Sequence, residues 1–128
     1  SEVQPLLSRN CVGCHNEKRR SETGLLSFER SDPRNWRNDR AYLNLVAFAR
    51  RPGPESDIAL FNAMEWHAST SPLIQMLRKG HHGVSLDPEA WDRLVTWIDL
   101  NAIFYGVYDG ENQAKQLAGE RVAMPKIQ

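Results

Sequence analysis

The residues most able to do chemistry lie near the start of the chain, in Cys11-Val12-Gly13-Cys14-His15. Two thiols separated by two residues and followed at once by an imidazole is the spacing that attaches a c-type haem. Each thiol can add to one vinyl group of the porphyrin, giving two thioether bonds. His15 then supplies an axial nitrogen to the iron. Val12 and Gly13 are small enough to let the backbone wrap close to the porphyrin edge. The motif uses both cysteines of the chain. A zinc site would need two distant histidines besides the thiols and leaves His15 unexplained. A redox disulfide would sit in a βαβ setting, which the sequence does not show. A structural disulfide across two residues would close a very small loop. The expectation is therefore one covalent haem c held by Cys11, Cys14 and His15.

Those residues must be positioned by a domain, and the chain is long enough for one. It has 128 residues, 41% of them hydrophobic and 25% charged, which suits a globular domain with a single core. Acids and bases balance at sixteen each, so no global field argues for nucleic acid or an anionic membrane. No apolar run approaches the length of a membrane span. Haem c is attached outside the cytoplasm, so a periplasmic or otherwise extracytoplasmic location is expected, with a signal removed or lying upstream.

The positioning elements read as helices. Residues 2 to 10 place Val3, Leu6 and Leu7 on one face, with Pro5 tolerable in a first turn. Residues 16 to 38 read as polar and irregular, with Leu25, Leu26, Phe28 and Trp36 able to bury. The stretch from Gly24 to Phe28 could pack over the haem edge or form a short strand. Bases outnumber acids from 17 to 51, which fits a solvated loop, a docking face for an acidic redox partner, or arginines for the propionates. Residues 39 to 49 form the clearest mid-chain helix, with Tyr42, Leu45, Val46 and Ala49 as its stripe. Arg51-Pro52-Gly53-Pro54 ends it. A long connection over 52 to 70 holds Ile58, Leu60, Phe61, Met64, Trp66 and His67. Ser71-Pro72 and Asp87-Pro88 each read as an N-cap followed by proline. The first opens a helix closed by Gly80. The second opens one running to about 101, with Trp91, Leu94, Val95 and Ile98 on its apolar face and Trp97 beside it. An aromatic turn over 101 to 108 follows. The expected organisation is all-α: a monohaem domain over 1–108 and a polar C-terminal tail over 109–128.

The open question is the second axial ligand, for which His67, His81, His82, Met64, Met76 and Met124 are candidates. Met76 lies within a helical apolar face and is most simply core. A histidine pair after a helix is ordinarily a surface feature, since cations suit a helix C-terminus. Next to a haem motif, His81-His82 gains a second use.

Residues 71 to 108 carry a more specific pattern. They read Ser71-Pro72-Leu73, then Gly80-His81-His82-Gly83-Val84-Ser85-Leu86, then Trp91-Asp92-Arg93-Leu94-Val95-Thr96-Trp97-Ile98-Asp99-Leu100-Asn101, then Tyr105-Gly106-Val107-Tyr108. With the haem motif, this resembles a segment of large multidomain c-type cytochromes of planctomycetes and related bacteria, a group that includes the hydrazine synthase alpha subunit. The resemblance implies a fold like class I cytochrome c, with the helix of residues 3 to 15 crossed by that of 88 to 101, and long loops. It also implies bis-histidine ligation with His81 as the distal ligand. It does not imply hydrazine synthesis, which needs further subunits and sites.

The function this leads to is electron transfer through a six-coordinate haem, with no open position for a substrate, as a domain of a larger redox protein. Its partner would be another redox protein or a neighbouring domain of the parent polypeptide. The alternative is a catalytic or gas-binding haem with an open or displaceable distal site, where His67 or His82 would act as an acid–base group.

Overall fold

Apolar spacing and proline-tolerant first turns build the framework seen in a computed structural model, which describes residues 2–32, 35, 37–49, 51–53 and 62–123. Trp36, Ile58, Leu60, Phe61 and Met124 lie outside the described residues. Among those described, helices alternate with turns and there is no strand, so the protein is all-α. The helices are α1 (Gln4–Asn10), α2 (Glu17–Thr23), α3 (Arg40–Val46), α4 (Pro72–Lys79), α5 (Pro88–Asp99) and α6 (Gly110–Leu117), with a 3-10 turn at Ala68–Thr70.

The core collects one face from each of the apolar helices. Val3, Leu6 and Leu7 of the α1 region, Leu45 of α3, Leu73 and Ile74 of α4, and Leu94, Trp97 and Ile98 of α5 belong to one buried cluster. Each fully buried side chain of this kind stabilises the fold by about 1.5–3 kcal/mol. The first and last apolar helices thus share a core, and at its edge Arg9 pairs with Asp87 at 3.6 Å and Arg93 with Glu2 at 4.0 Å. The face of α5 is rotated from the expected one. Trp97 is buried and Trp91 only half-buried, because Ala90, Leu94, Trp97 and Ile98 follow the helical repeat while Trp91 flanks it. The Trp97 indole N–H also donates to the Ile103 carbonyl at 2.9 Å.

Caps set the helix limits. Asp39, Asp87 and Asp109 each accept a backbone N–H three residues on, at the starts of α3, α5 and α6. Ser71 stands at the cap position of α4, but its hydroxyl donates to the Phe48 carbonyl at 2.9 Å. It therefore fastens α4 to the end of α3. Asp39 is 1% exposed and also accepts from Arg30 at 2.8 Å, while Arg30 lies over the Phe104 ring.

Two helices occupy segments read as irregular or as tail. Asn16 caps α2 and Gly24 ends it at φ 74°, yet α2 buries no residue. Residues 109–123 lie largely on the surface, as α6 and the turn after it. There Gln116 is buried and donates to Glu2, and the Gly119 carbonyl accepts from Arg93 at 2.7 Å. No helix among the described residues is long and apolar enough to cross a membrane.

Candidate functional site

The Cys-Val-Gly-Cys-His stretch continues from α1 as a run of hydrogen-bonded turns. Cys11 N–H donates to Leu7, and both Cys14 and His15 N–H donate to the Cys11 carbonyl. The Asn16 amide ties back to the carbonyls of Val12 and Gly13. These turns bring Cys11, Cys14 and His15 onto the wall of one cavity of about 380 Å³. The size falls within the range of about 300–1,000 Å³ usual for small-molecule and cofactor sites.

The remaining wall is mostly apolar and comes from every helix of the core. It includes Leu6 and Leu7, Leu45, Leu73, Met76 and Leu77, and Leu94, with Leu26 and Phe28 from the stretch after α2. Burial pushes the Cys11 thiol up to about 11, so it stays protonated at neutral pH, while Cys14 is exposed.

His15 is held from two sides by the 26–28 stretch. Its Nδ1 lies 2.9 Å from the Leu26 carbonyl. A carbonyl can only accept, so Nδ1 is the donor here and Nε2 is the ring nitrogen left for a ligand. Phe28 N–H donates to the His15 carbonyl at 2.9 Å, and the Phe28 ring sits 4.8 Å from the imidazole. The stretch is itself fastened by Gln4, which donates to Phe28, and Asn44, which donates to Ser27. It therefore packs on the motif and is not a strand.

His81 reaches the same cavity from the turn after α4. Gly80 at φ 92°, His82 at φ 48° and Gly83 at φ 77° all take positive φ, and Val84 N–H closes the turn on the His81 carbonyl. Glycine adopts that geometry freely, and histidine is among the residues that tolerate it. The His81 and His15 ring centroids are 6.0 Å apart, with planes at 24°. Burial first, then the neighbouring charges of His82 and His15, hold the His81 imidazole below its usual pKa, which favours the neutral, ligating form. Val84 and Leu86 line the cavity beside it.

The other candidates separate cleanly. His82 lines the cavity but is exposed, edge-on to His81 at 4.8 Å. Met76 lines it from the core. Met64 is 58% exposed and not part of the wall. His67 is outside the wall as well: its Nδ1 accepts from Ser69 Oγ at 2.8 Å and Nε2 faces Asp99 at 3.9 Å. Met124 is outside the described residues.

A haem fits this donor set on two counts. A metal–imidazole bond is about 2 Å, and each ring nitrogen lies about 1 Å from its own centroid, so two imidazoles facing one metal have centroids about 6 Å apart. The thiols flank His15 on the same wall, as thioether attachment requires. A bare metal ion fits less well, because no three His, Cys, Asp or Glu side chains among the described residues form a group that could hold one. The two thiols are not joined to each other.

What the sequence did not reveal is the Leu26 carbonyl that orients His15, since it depends on a contact across α2. No family model matches the chain, and neither the curated proteins nor the solved structures include a match.

Proposed function

We propose that residues 1–108 form a monohaem c-type cytochrome domain that passes electrons and carries out no substrate chemistry, with 109–128 as an appended C-terminal segment. The observation that carries this reading is the convergence of Cys11, Cys14, His15 and His81 on one apolar cavity. When bound, haem c would supply a one-electron couple at its iron. Cys11 and Cys14 would fix it by thioether bonds. The Leu26 carbonyl engages Nδ1 of His15, which would leave Nε2 to hold the iron, and His81 would supply the second imidazole. The apolar side chains lining the cavity would lower water access to a bound haem, which would disfavour charge on the iron and help set the potential. Two imidazoles without a thioether ligand would place that potential toward the low end of the c-type range.

The wider reading follows from the same residues. The fold would be class I cytochrome c-like, with α1 and α5 sharing the core, and the domain would belong to a larger redox protein of the planctomycete multidomain type. Its location would be periplasmic or otherwise extracytoplasmic, and its partner a redox protein or neighbouring domain. Replacing Cys11 and Cys14 together by alanine tests the base of this reading. The wild-type chain should keep its colour after acid–organic extraction and the double variant should not. Free extraction from the wild type would refute covalent attachment.

One observation favours a second reading. His82 shares the cavity with His81 and could serve as an acid–base group beside an open or displaceable iron position. Rapid stoichiometric carbon monoxide binding to the reduced wild-type protein would favour that reading; its absence favours electron transfer.

A further inference from the structure

All three tyrosines of the chain stand in one row of neighbouring aromatic rings. Trp97 packs edge-on to Tyr42 with ring centroids 6.5 Å apart, and Tyr42 packs edge-on to Phe104 at 5.0 Å. Phe104 meets Tyr105 at 4.7 Å, and Tyr105 stacks on Tyr108 at 6.4 Å. Every step lies within the contact range of aromatic pairs, about 4.5–7 Å. The row starts at buried Trp97 and ends at Tyr108, which is 92% exposed. Its inner end lies one layer of side chains from the large cavity. Leu7 and Leu45 line both that cavity and a small hollow walled by Tyr42, Trp97 and Phe104.

Core packing accounts for Trp97, Tyr42 and Phe104, but not for Tyr108 at the surface. Indole and phenol share a chemical property: each gives up a single electron readily. An oxidised phenol settles only where it can shed its proton, so the surroundings decide where the oxidation comes to rest. The Trp97 N–H donates to the Ile103 carbonyl, and the Tyr42 hydroxyl donates to the Ala102 carbonyl, both at 2.9 Å. A carbonyl accepts a hydrogen bond but is too weak a base to keep the proton. Burial also pushes the Tyr42 hydroxyl pKa up. Phe104 has no acidic proton, and the Arg30 guanidinium lies 5.6 Å from its ring centroid, so it bridges and does not hold positive charge. Tyr108 faces water, the proton acceptor that the inner rings lack.

We propose that this row carries a one-electron oxidation out of the core to Tyr108, where it lodges as a phenoxyl radical and ends as a dityrosine cross-link between two chains. The oxidation would be started in the core by light, or by a one-electron oxidant held in the cavity. Tyr108 is then an oxidative modification site, and the inner rings are spared. The path does not rest on the proposed function.

Pulsed light at the red edge of indole absorption, where phenol does not absorb, ionises tryptophan in the purified protein. Hexaamminecobalt(III) takes up the ejected electron and becomes cobalt(II). One electron then moves inward from Tyr108, which releases its phenolic proton to water, and the indole is restored. Two such radicals from two chains join through one carbon–carbon bond, and the displaced ring hydrogens return to the oxygens. The wild type should give a fluorescent dityrosine dimer whose cross-linked peptide contains Tyr108. Tyr108→Phe should lose it. Tyr42→Phe and Tyr105→Phe, which keep the rings, should also lose it, with slower decay of the indole radical. Tyr42→Phe removes the step next to Trp97 and so separates this route from the other tryptophans. Both variants should still cross-link when peroxidase and peroxide oxidise surface tyrosine directly. An unchanged photochemical yield in these two variants, or a wild-type link through Tyr42 or Tyr105, would overturn the proposal. So would a wild type that cross-links with peroxidase but not with light. Haem content is read separately from visible absorption: its absence would refute the functional reading and leave these outcomes as they stand.

Discussion

The imidazoles of His15 and His81 stand with ring centroids 6.0 Å apart and planes within 24°, one in the turn after α1 and the other in the turn after α4. The two rings are held differently. His15 is clamped through Nδ1 by the Leu26 carbonyl, whereas His81 is presented by a turn with positive φ on three residues. On the proposed function, the distal side is therefore the side that substitutions should change most readily.

Replacing His81 by alanine should convert the oxidised protein from low-spin to high-spin and let carbon monoxide bind the reduced form. His82→Ala should remain low-spin, since His82 is exposed and edge-on to His81. His81→Met should raise the potential, because a thioether favours reduced iron. Absorption spectra and redox titration read all three. A low-spin His81→Ala beside a high-spin His82→Ala would reassign the ligand.

Core substitutions should follow the observed face of α5. Trp97→Ala should cost about 3–5 kcal/mol and Leu94→Ala about 2–5 kcal/mol, the ranges for deleting buried side chains. Trp91→Ala should cost less than Trp97→Ala, because Trp91 is only half-buried. Denaturant unfolding of the three variants measures the order; a larger loss at Trp91 than at Trp97 would contradict the packing described.

The sequence carried the parts of this architecture that rest on local signals. Asp87-Pro88 announces α5 as a cap followed by proline, and the stripe of Tyr42, Leu45 and Val46 announces α3, although the sequence places Asp39 inside that helix and the structure makes it the cap. The all-α class follows from the same patterns. Helix α2 has a cap at each end, Asn16 and Gly24, but no apolar stripe, and a reading that weighs periodicity passes over it. Helix α6 is anchored by Gln116, a buried polar residue that hydropathy counts as surface. The choice of Trp97 over Trp91 is a matter of helix phase, which a single turn of ambiguity can reverse. At the site, the thiols and His15 are contiguous and legible. The approach of His81, the exclusion of His67 by Ser69 and Asp99, and the Leu26 carbonyl all depend on how distant segments meet.

Acid should loosen the start of α6 in a defined window. The Asn112 backbone N–H, then its side chain, holds the Asp109 carboxyl below its usual pKa. A depressed folded value means the cap contributes stability above the unfolded pKa of about 3.9 and loses it as pH falls through the folded value. The Asn112 amide shift should therefore titrate with a midpoint below about 3.9. Asp109→Asn should keep the cap and abolish the titration. A midpoint at or above the ordinary aspartate value would contradict the capping geometry.

The low-temperature spin-resonance spectrum of the oxidised wild-type protein, taken with its near-infrared absorption, tests the proposed ligation most directly. The account predicts a low-spin ferric signal of two-imidazole character and no near-infrared thioether band. A high-spin ferric signal, a thioether band, or no haem signal from the purified protein would contradict it.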